Sequence, residues 1–161
     1  MEKTTLLAEK LKSSVQGDAR LKRLTFTQGE TFSWSHTACV ITYNPHAPNA
    51  ASYLLHEYGH ALLGHQDYVL DIDLLHMERS AWDKAIEIAA LYKLAIDEAV
   101  VEDAMDSYRD WLHNRSLCPA CGATGIQTTP RHYYCLACEH KWAVNDARTC
   151  QLRRYSTKKR P

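Results

Sequence analysis

His56, Glu57 and His60 lie in the run His56-Glu57-Tyr58-Gly59-His60-Ala61-Leu62-Leu63-Gly64-His65. On a helix, two histidines four residues apart project from one face, so their imidazole nitrogens can hold a single zinc ion while the glutamate beside the first reaches a water on that ion. The chemistry of that arrangement is metal-assisted hydrolysis, with Glu57 as general base. A catalytic zinc keeps three protein ligands and one open position, so a third ligand is needed. His65 does not complete the pattern HExxHxxGxxH, because Leu63 and Gln66 stand where that pattern requires Gly and His. Glu78 follows His60 by 18 residues and opens a helical run, Glu78-Arg79-Ser80-Ala81-Trp82. Ala81 and Ala85 are small enough to let that helix press against the first, and Glu78 is therefore the expected third ligand. Tyr58, His76, Tyr92 and Tyr108 are the candidates to stabilise an oxyanion.

A second constellation lies further along. Cys118-Pro119-Ala120-Cys121 and Cys135-Leu136-Ala137-Cys138 are separated by 13 residues, the spacing of a zinc ribbon in which each CxxC forms a tight knuckle. Four thiolates close a tetrahedral site and leave no position for catalysis, so this zinc would be structural and supply folding energy to a small module. Cys39 and Cys150 read as plain thiols. The expected metal complement is thus one catalytic and one structural zinc.

The zero net charge of the 161 residues conceals an asymmetry. Residues 1 to 115 carry 11 Lys and Arg against 17 Asp and Glu, a net charge of −6, whereas residues 116 to 161 carry 8 against 2, a net charge of +6. The change coincides with the first cysteine pair, which predicts a domain over 1–115, a ribbon over 116–155 and a disordered basic tail over 156–161. In the ribbon, Tyr133, Tyr134, Trp142 and Tyr155 are interleaved with Arg131, Lys141, Arg148, Arg153, Arg154 and Lys158 to Arg160, a mixture suited to phosphate contacts and base stacking on DNA or RNA. The same aromatics could instead fill the small core of the ribbon. No stretch approaches the roughly 18 apolar residues of a membrane helix, and the N-terminus lacks the layout of a secretory signal. Together with the paired cysteines, this predicts a cytoplasmic protein with no membrane partner.

The elements that must position these residues are legible in outline. Leu7, Leu11 and Val15 recur at helical spacing behind Thr4 or Thr5, and Gly17 ends the pattern. From Leu21 to Tyr43 the alternation Leu24, Phe26, then Phe32, Trp34, then the run Ala38 to Tyr43 predicts two or three antiparallel strands, with Gln28-Gly29-Glu30 as a turn. Asn49 caps and Gly64 terminates a helix from Ala50 to about Leu63. Its Leu55, Leu62 and Leu63 would face the core, Gly59 would admit a close neighbour, and the histidines would look outward into a cleft. A helix beginning near Glu78 and another reaching Leu112 follow, with Asp97 either capping the latter or lying inside one continuous helix.

HEYGHALLGH followed by a glutamate-initiated helix resembles the ImmA/IrrE-type metallopeptidases, small relatives of the gluzincins, over roughly residues 30 to 95. The resemblance implies a small antiparallel sheet over a helix pair, His56, His60 and Glu78 as zinc ligands, and Glu57 as general base. Gluzincins often place an Asp four residues after the ligand glutamate to orient a histidine, and this chain has Trp82 there with Asp83 next. A peptidase domain followed by a zinc ribbon is also similar to the SprT/Spartan-like architecture, whose members act on proteins attached to DNA. Their third ligand is a histidine some ten residues past the motif, where Leu70 sits here. The expectation is an α+β zincin-like domain with a zinc ribbon, acting as an intracellular zinc metallopeptidase on proteins or peptides, including nucleic-acid-associated ones. The alternative is a non-catalytic zinc-binding adaptor.

Overall fold

The computed structural model describes residues 3–15, 17–146 and 151–157 of the chain. Arg148, Cys150 and Lys158 to Arg160 lie outside them. The fold is α+β, and the described residues form four helices and two small sheets. They fall into two compact units, one made of the residues up to Asp67 together with Met77–Glu102, the other of Tyr68–His76 with the residues from Asp103 onward. The compositional change near Ser116 thus falls inside the second unit rather than at its edge. No helix among the described residues is long and apolar enough to cross a membrane.

In the first unit, helix α1 (Lys3–Ser14) buries Thr4, Leu7, Ala8 and Leu11, the stripe that a 3.6-residue period produces. Strands β1 (Thr25–Gln28), β2 (Ser33–Ser35) and β3 (Val40–Tyr43) form a sheet in the order β1-β3-β2. The sheet is mixed rather than antiparallel. β2 pairs antiparallel to β3 with Trp34 opposite Ile41, while β1 runs parallel to β3 with Phe26 opposite Ile41. The Gln28-Gly29-Glu30 segment does not fold β1 back onto β2. Instead Gly29 N–H donates to the Tyr43 carbonyl at 2.9 Å and prolongs the pairing with β3. β3 takes the centre because it carries the most continuous β-forming run, with Ile41 and Tyr43 buried.

Helix α2 (Ala50–Leu63) has the bounds its flanking residues imply. Asn49 adopts the left-handed conformation without a side-chain cap bond, so it starts the helix by turning the chain. Gly64 ends it at φ 70°; Gly64 N–H donates to the Ala61 carbonyl and His65 N–H to the His60 carbonyl, the paired bonds of a Schellman motif. Leu55 is buried, but Leu63 is exposed, and His56 and His60 occupy the buried face that the leucines alone were expected to fill.

Helix α3 (Asp71–Leu91) begins two turns before Glu78, not at it. Asp73 Oδ2 accepts from Leu70 N–H at 2.8 Å, the reach-back half of a capping box, and Asp71 and Asp73 complement the helix dipole. After Leu91 the chain breaks, with Lys93 at φ 56° closing the end. Asp97 then caps a new helix, α4 (Glu98–Ser116), its Oδ1 accepting from Ala99 N–H at 3.0 Å.

In the second unit, β4 (Ile126–Thr129), β5 (His132–Tyr134), β6 (Lys141–Val144) and β7 (Arg154–Ser156) form an antiparallel sheet in sequential order. Cys118, Tyr133, Cys135, Trp142 and Val144 make its core. Trp142 Nε1 donates to the Arg115 carbonyl at 3.1 Å. Asp71 accepts from the Tyr133 hydroxyl and from Gln127 Nε2, while its backbone N–H donates to Gln127 Oε1 at 2.7 Å. Ser156, expected to start a disordered tail, instead pairs with Trp142, and Thr157 N–H donates to the Lys141 carbonyl. β7 covers the edge of β6, which would otherwise present unpaired backbone groups.

Candidate metal centres

In the first unit, α2 presents His56 and His60 one turn apart, and Glu78 of α3 faces them. The helices approach at Gly59, where a Cβ would stand 2.5 Å from the Ala81 carbonyl oxygen, so no larger residue fits. His56 Nε2 lies 3.0 Å from Glu78 Oε2 and 3.1 Å from His60 Nε2, and His60 Nε2 is 3.5 Å from Glu78 Oε2. Bonds of about 2.0–2.2 Å to one tetrahedral zinc put its ligand atoms about 3.3–3.5 Å apart. One of the three separations lies in that range and the other two are a few tenths of an ångström short of it, so the donors stand close to the spacing one zinc requires.

All three residues are buried. Glu78 is 5% exposed and lies in the interior of its helix rather than in its first turn. Burial pushes its carboxyl up, but the hydrogen bond with His56 and the adjoining His60 imidazole outweigh burial and hold it well below the ordinary carboxylate range. Burial pushes the His56 imidazole down, against the pull of Glu78. An ionised carboxylate beside a histidine disposed to be neutral is a donor set ready for a divalent cation. Glu57 is half-buried on the same helix.

The support behind the histidines differs from one to the other. The Trp82 ring stacks on His56 with centroids 4.3 Å apart, and His56 Nδ1 makes no hydrogen bond among the described residues. The carboxylate that a gluzincin would put there is absent from the contact, for Asp83 is turned to Arg79 at 3.4 Å. His60 instead has a partner, since its Nδ1 is 2.9 Å from His65 Nδ1. Sequence reasoning rejects His65 as a ligand and places it just past the helix end as a cap or surface residue; the signal for its contact is its place one residue after the C-terminal glycine, because a Schellman turn folds that residue back over the last helical turn. Tyr58 is excluded as an oxyanion group at this site, since its hydroxyl is buried against Ser14 Oγ at 3.0 Å.

In the second unit, Cys118, Cys121, Cys135 and Cys138 come together with Sγ separations of 3.6 Å for Cys118–Cys138 and for Cys121–Cys135. Four thiolates on one zinc at about 2.3 Å would stand about 3.8 Å apart. The two knuckles repeat each other. Gly122 N–H donates to the Cys118 carbonyl and Glu139 N–H to the Cys135 carbonyl, both at 2.9 Å, with Gly122 at φ 74° and Glu139 at φ 61°. Burial opposes ionisation of Cys135, but the N–H groups of Cys138 and Ala137 and the Cys121 thiol lower it to about 7. The N–H of His140 favours the Cys138 thiolate, yet Cys121, burial and the remaining sulfurs push that thiol up to about 12. One thiolate disfavours the next, a conflict that a divalent cation among them removes. The group can hold a metal ion such as zinc.

The aromatics of the second sheet divide. Tyr133 and Trp142 are buried and stack on each other at 5.4 Å, so they fill the core and cannot stack on bases. Tyr155 is exposed, as are Arg131, Lys141, Arg153 and Arg154. Comparison with protein-family models, with curated proteins and with solved structures finds no match to this chain.

Proposed function

We propose that the chain is a zinc-dependent metallopeptidase with a zincin-like core related to the ImmA/IrrE type. In this reading His56, His60 and Glu78 hold a catalytic zinc, and the four cysteines hold a structural one in a zinc ribbon. The observation that carries the reading is the convergence of three buried donors, 3.0 to 3.5 Å apart, two of them on the helix that also bears Glu57. Zinc bound there would supply Lewis acidity toward a water and a peptide carbonyl. Glu57 takes the proton of the attacking water and returns it to the leaving amine. Trp82 and the packed α2 and α3 faces keep solvent from the far side of the ligands. The substrate is a protein or peptide, and the exposed basic residues of the ribbon direct the enzyme to proteins associated with DNA or RNA.

One feature favours a second reading, a non-catalytic adaptor with a structural metal: His56 Nδ1 lacks the acceptor that usually orients a catalytic ligand. Glu57→Gln separates the two. Incubation with a mixed peptide library, read by mass spectrometry, should show cleavage by the wild type and none by the variant, while metal content stays the same. Equal cleavage patterns, or none by metal-loaded wild type, would leave the adaptor reading.

A further inference from the structure

The hydrogen bonds behind His60 form a chain with one free end and one fixed end. His60 Nδ1 meets His65 Nδ1 at 2.9 Å, His65 Nε2 meets Ser80 Oγ at 3.4 Å, and the Ser80 hydroxyl donates to the Met77 carbonyl at 3.0 Å. The fixed end is the carbonyl, which can only accept. Because the Ser80 proton is committed there, Ser80 Oγ must accept from His65 Nε2–H. A neutral imidazole protonated on Nε2 has a bare Nδ1, so His65 Nδ1 accepts in turn from His60 Nδ1–H. That leaves His60 Nε2 with a lone pair and no proton, pointed at His56 Nε2 and Glu78 Oε2.

Building on the metal-site reading above, we propose that His65 is a positioning residue: it fixes His60 in the tautomer and ring orientation that a metal at Nε2 requires. The position of His65 is itself over-determined. Its N–H closes the helix on the His60 carbonyl at 3.0 Å, and its carbonyl accepts from Trp34 Nε1 at 3.0 Å. The ring that braces His60 is thus held from α2, from β2 and from Ser80 of α3. Among the described residues His56 has no equivalent relay and relies on the Trp82 face, so the brace on the site is one-sided.

The test has two arms in the full chain. Nitrogen-15 imidazole shifts of metal-free protein report the tautomer directly; wild type should show His60 protonated at Nδ1, and His65→Phe, which keeps the ring but offers no acceptor, should show a mixture. Zinc affinity at the histidine site, measured against a competing chelator, should fall about 10- to 100-fold in His65→Phe. His65→Asn, whose amide oxygen takes the place of Nδ1 and can accept from His60, should restore part of it. A wild-type His60 protonated at Nε2, or a His65→Phe affinity equal to wild type, overturns the proposal. Failure of wild type to take up a metal at the histidines would instead overturn the site reading, and the nitrogen shifts would still decide the tautomer.

Discussion

At the scale of residues, the unusual partner is Trp82. It is fully buried, stacks on His56 and meets Tyr53 edge-on at 5.7 Å, yet its Nε1 makes no hydrogen bond among the described residues. An indole that buries an unpaired N–H has been kept for its face. Trp82→Phe keeps a face and removes the unpaired donor, whose burial costs about 1–3 kcal/mol. It should change the melting temperature little and leave the histidine site able to take zinc. Trp82→Ala should cost about 3–5 kcal/mol by opening a cavity and should release His56; thermal melts and zinc titration of both variants check this. Tyr133 is the second such residue. Its pKa is raised by burial and then by its hydrogen bond with the Asp71 carboxylate. A raised folded-state value contributes stability that is complete below the unfolded value of 10.0 and is lost as pH rises beyond it. Tyr133→Phe, which leaves Asp71 short of a donor, should therefore cost about 1–3 kcal/mol at neutral pH. The gap to wild type should narrow above about pH 10 in denaturant titrations.

At the scale of elements, the candidate site depends on how closely α2 and α3 pack. Gly59→Ala would put a methyl group 2.5 Å from the Ala81 carbonyl oxygen, a backbone atom that cannot swing aside. The helices must separate, with a cost of about 1–3 kcal/mol and a loss of zinc affinity as Glu78 retreats from the histidines. Gly17→Ala, which meets nothing within 4 Å, is the control and should change neither. Helix α2 is legible in the sequence because both of its ends carry local signals, Asn49 and Gly64, and its chemistry is legible because both histidines lie on it. The start of α3 is not. Leu70 and Leu74 continue the apolar period upstream of Glu78, but Asp71 lies between them and is buried against Arg115, Gln127 and Tyr133, 44, 56 and 62 residues away. Such partners leave no local trace. The parallel pairing of β1 escaped for a related reason, since a turn-like Gln28-Gly29-Glu30 says nothing of a strand that arrives later and takes the centre. The cysteine knuckles are legible because their geometry is local, and they even tolerate Glu139 where the first knuckle has Gly122. What stands behind the histidines divides: Trp82 reaches His56 through packing that no spacing rule encodes, whereas His65 reaches His60 through the turn that Gly64 makes.

At the scale of the whole molecule, the charge asymmetry is the feature that geometry refines most. Among the described residues, the segment after the first cysteine pair exposes Arg131, Lys141, Arg153 and Arg154, yet two of the four aromatics there are core and two of those arginines are engaged: Arg131 lies 3.8 Å from Asp146, and Arg154 donates to the Asn114 carbonyl. In the proposed reading, stacking on nucleic acid would fall to Tyr155 and the half-buried Tyr134 alone, and phosphate contacts would dominate. Binding driven by phosphates is weakly selective and falls steeply with salt, with a slope of about 0.7 per neutralised phosphate on single strands. We therefore expect the intact chain to bind single-stranded oligonucleotides of different sequence with similar affinity in low salt. Arg153→Ala combined with Arg154→Ala should lower both the affinity and the magnitude of the salt slope, by about 0.7 to 1.4 for one or two lost contacts. Tyr155→Ala should lower affinity by about 1–3 kcal/mol while leaving the slope unchanged, because a stacked base releases no counterion. Fluorescence anisotropy across a salt series measures both quantities. An intact chain that shows no binding at low salt would assign the basic surface to protein substrates, and a slope unmoved by the double arginine variant would place the phosphate contacts elsewhere on the chain.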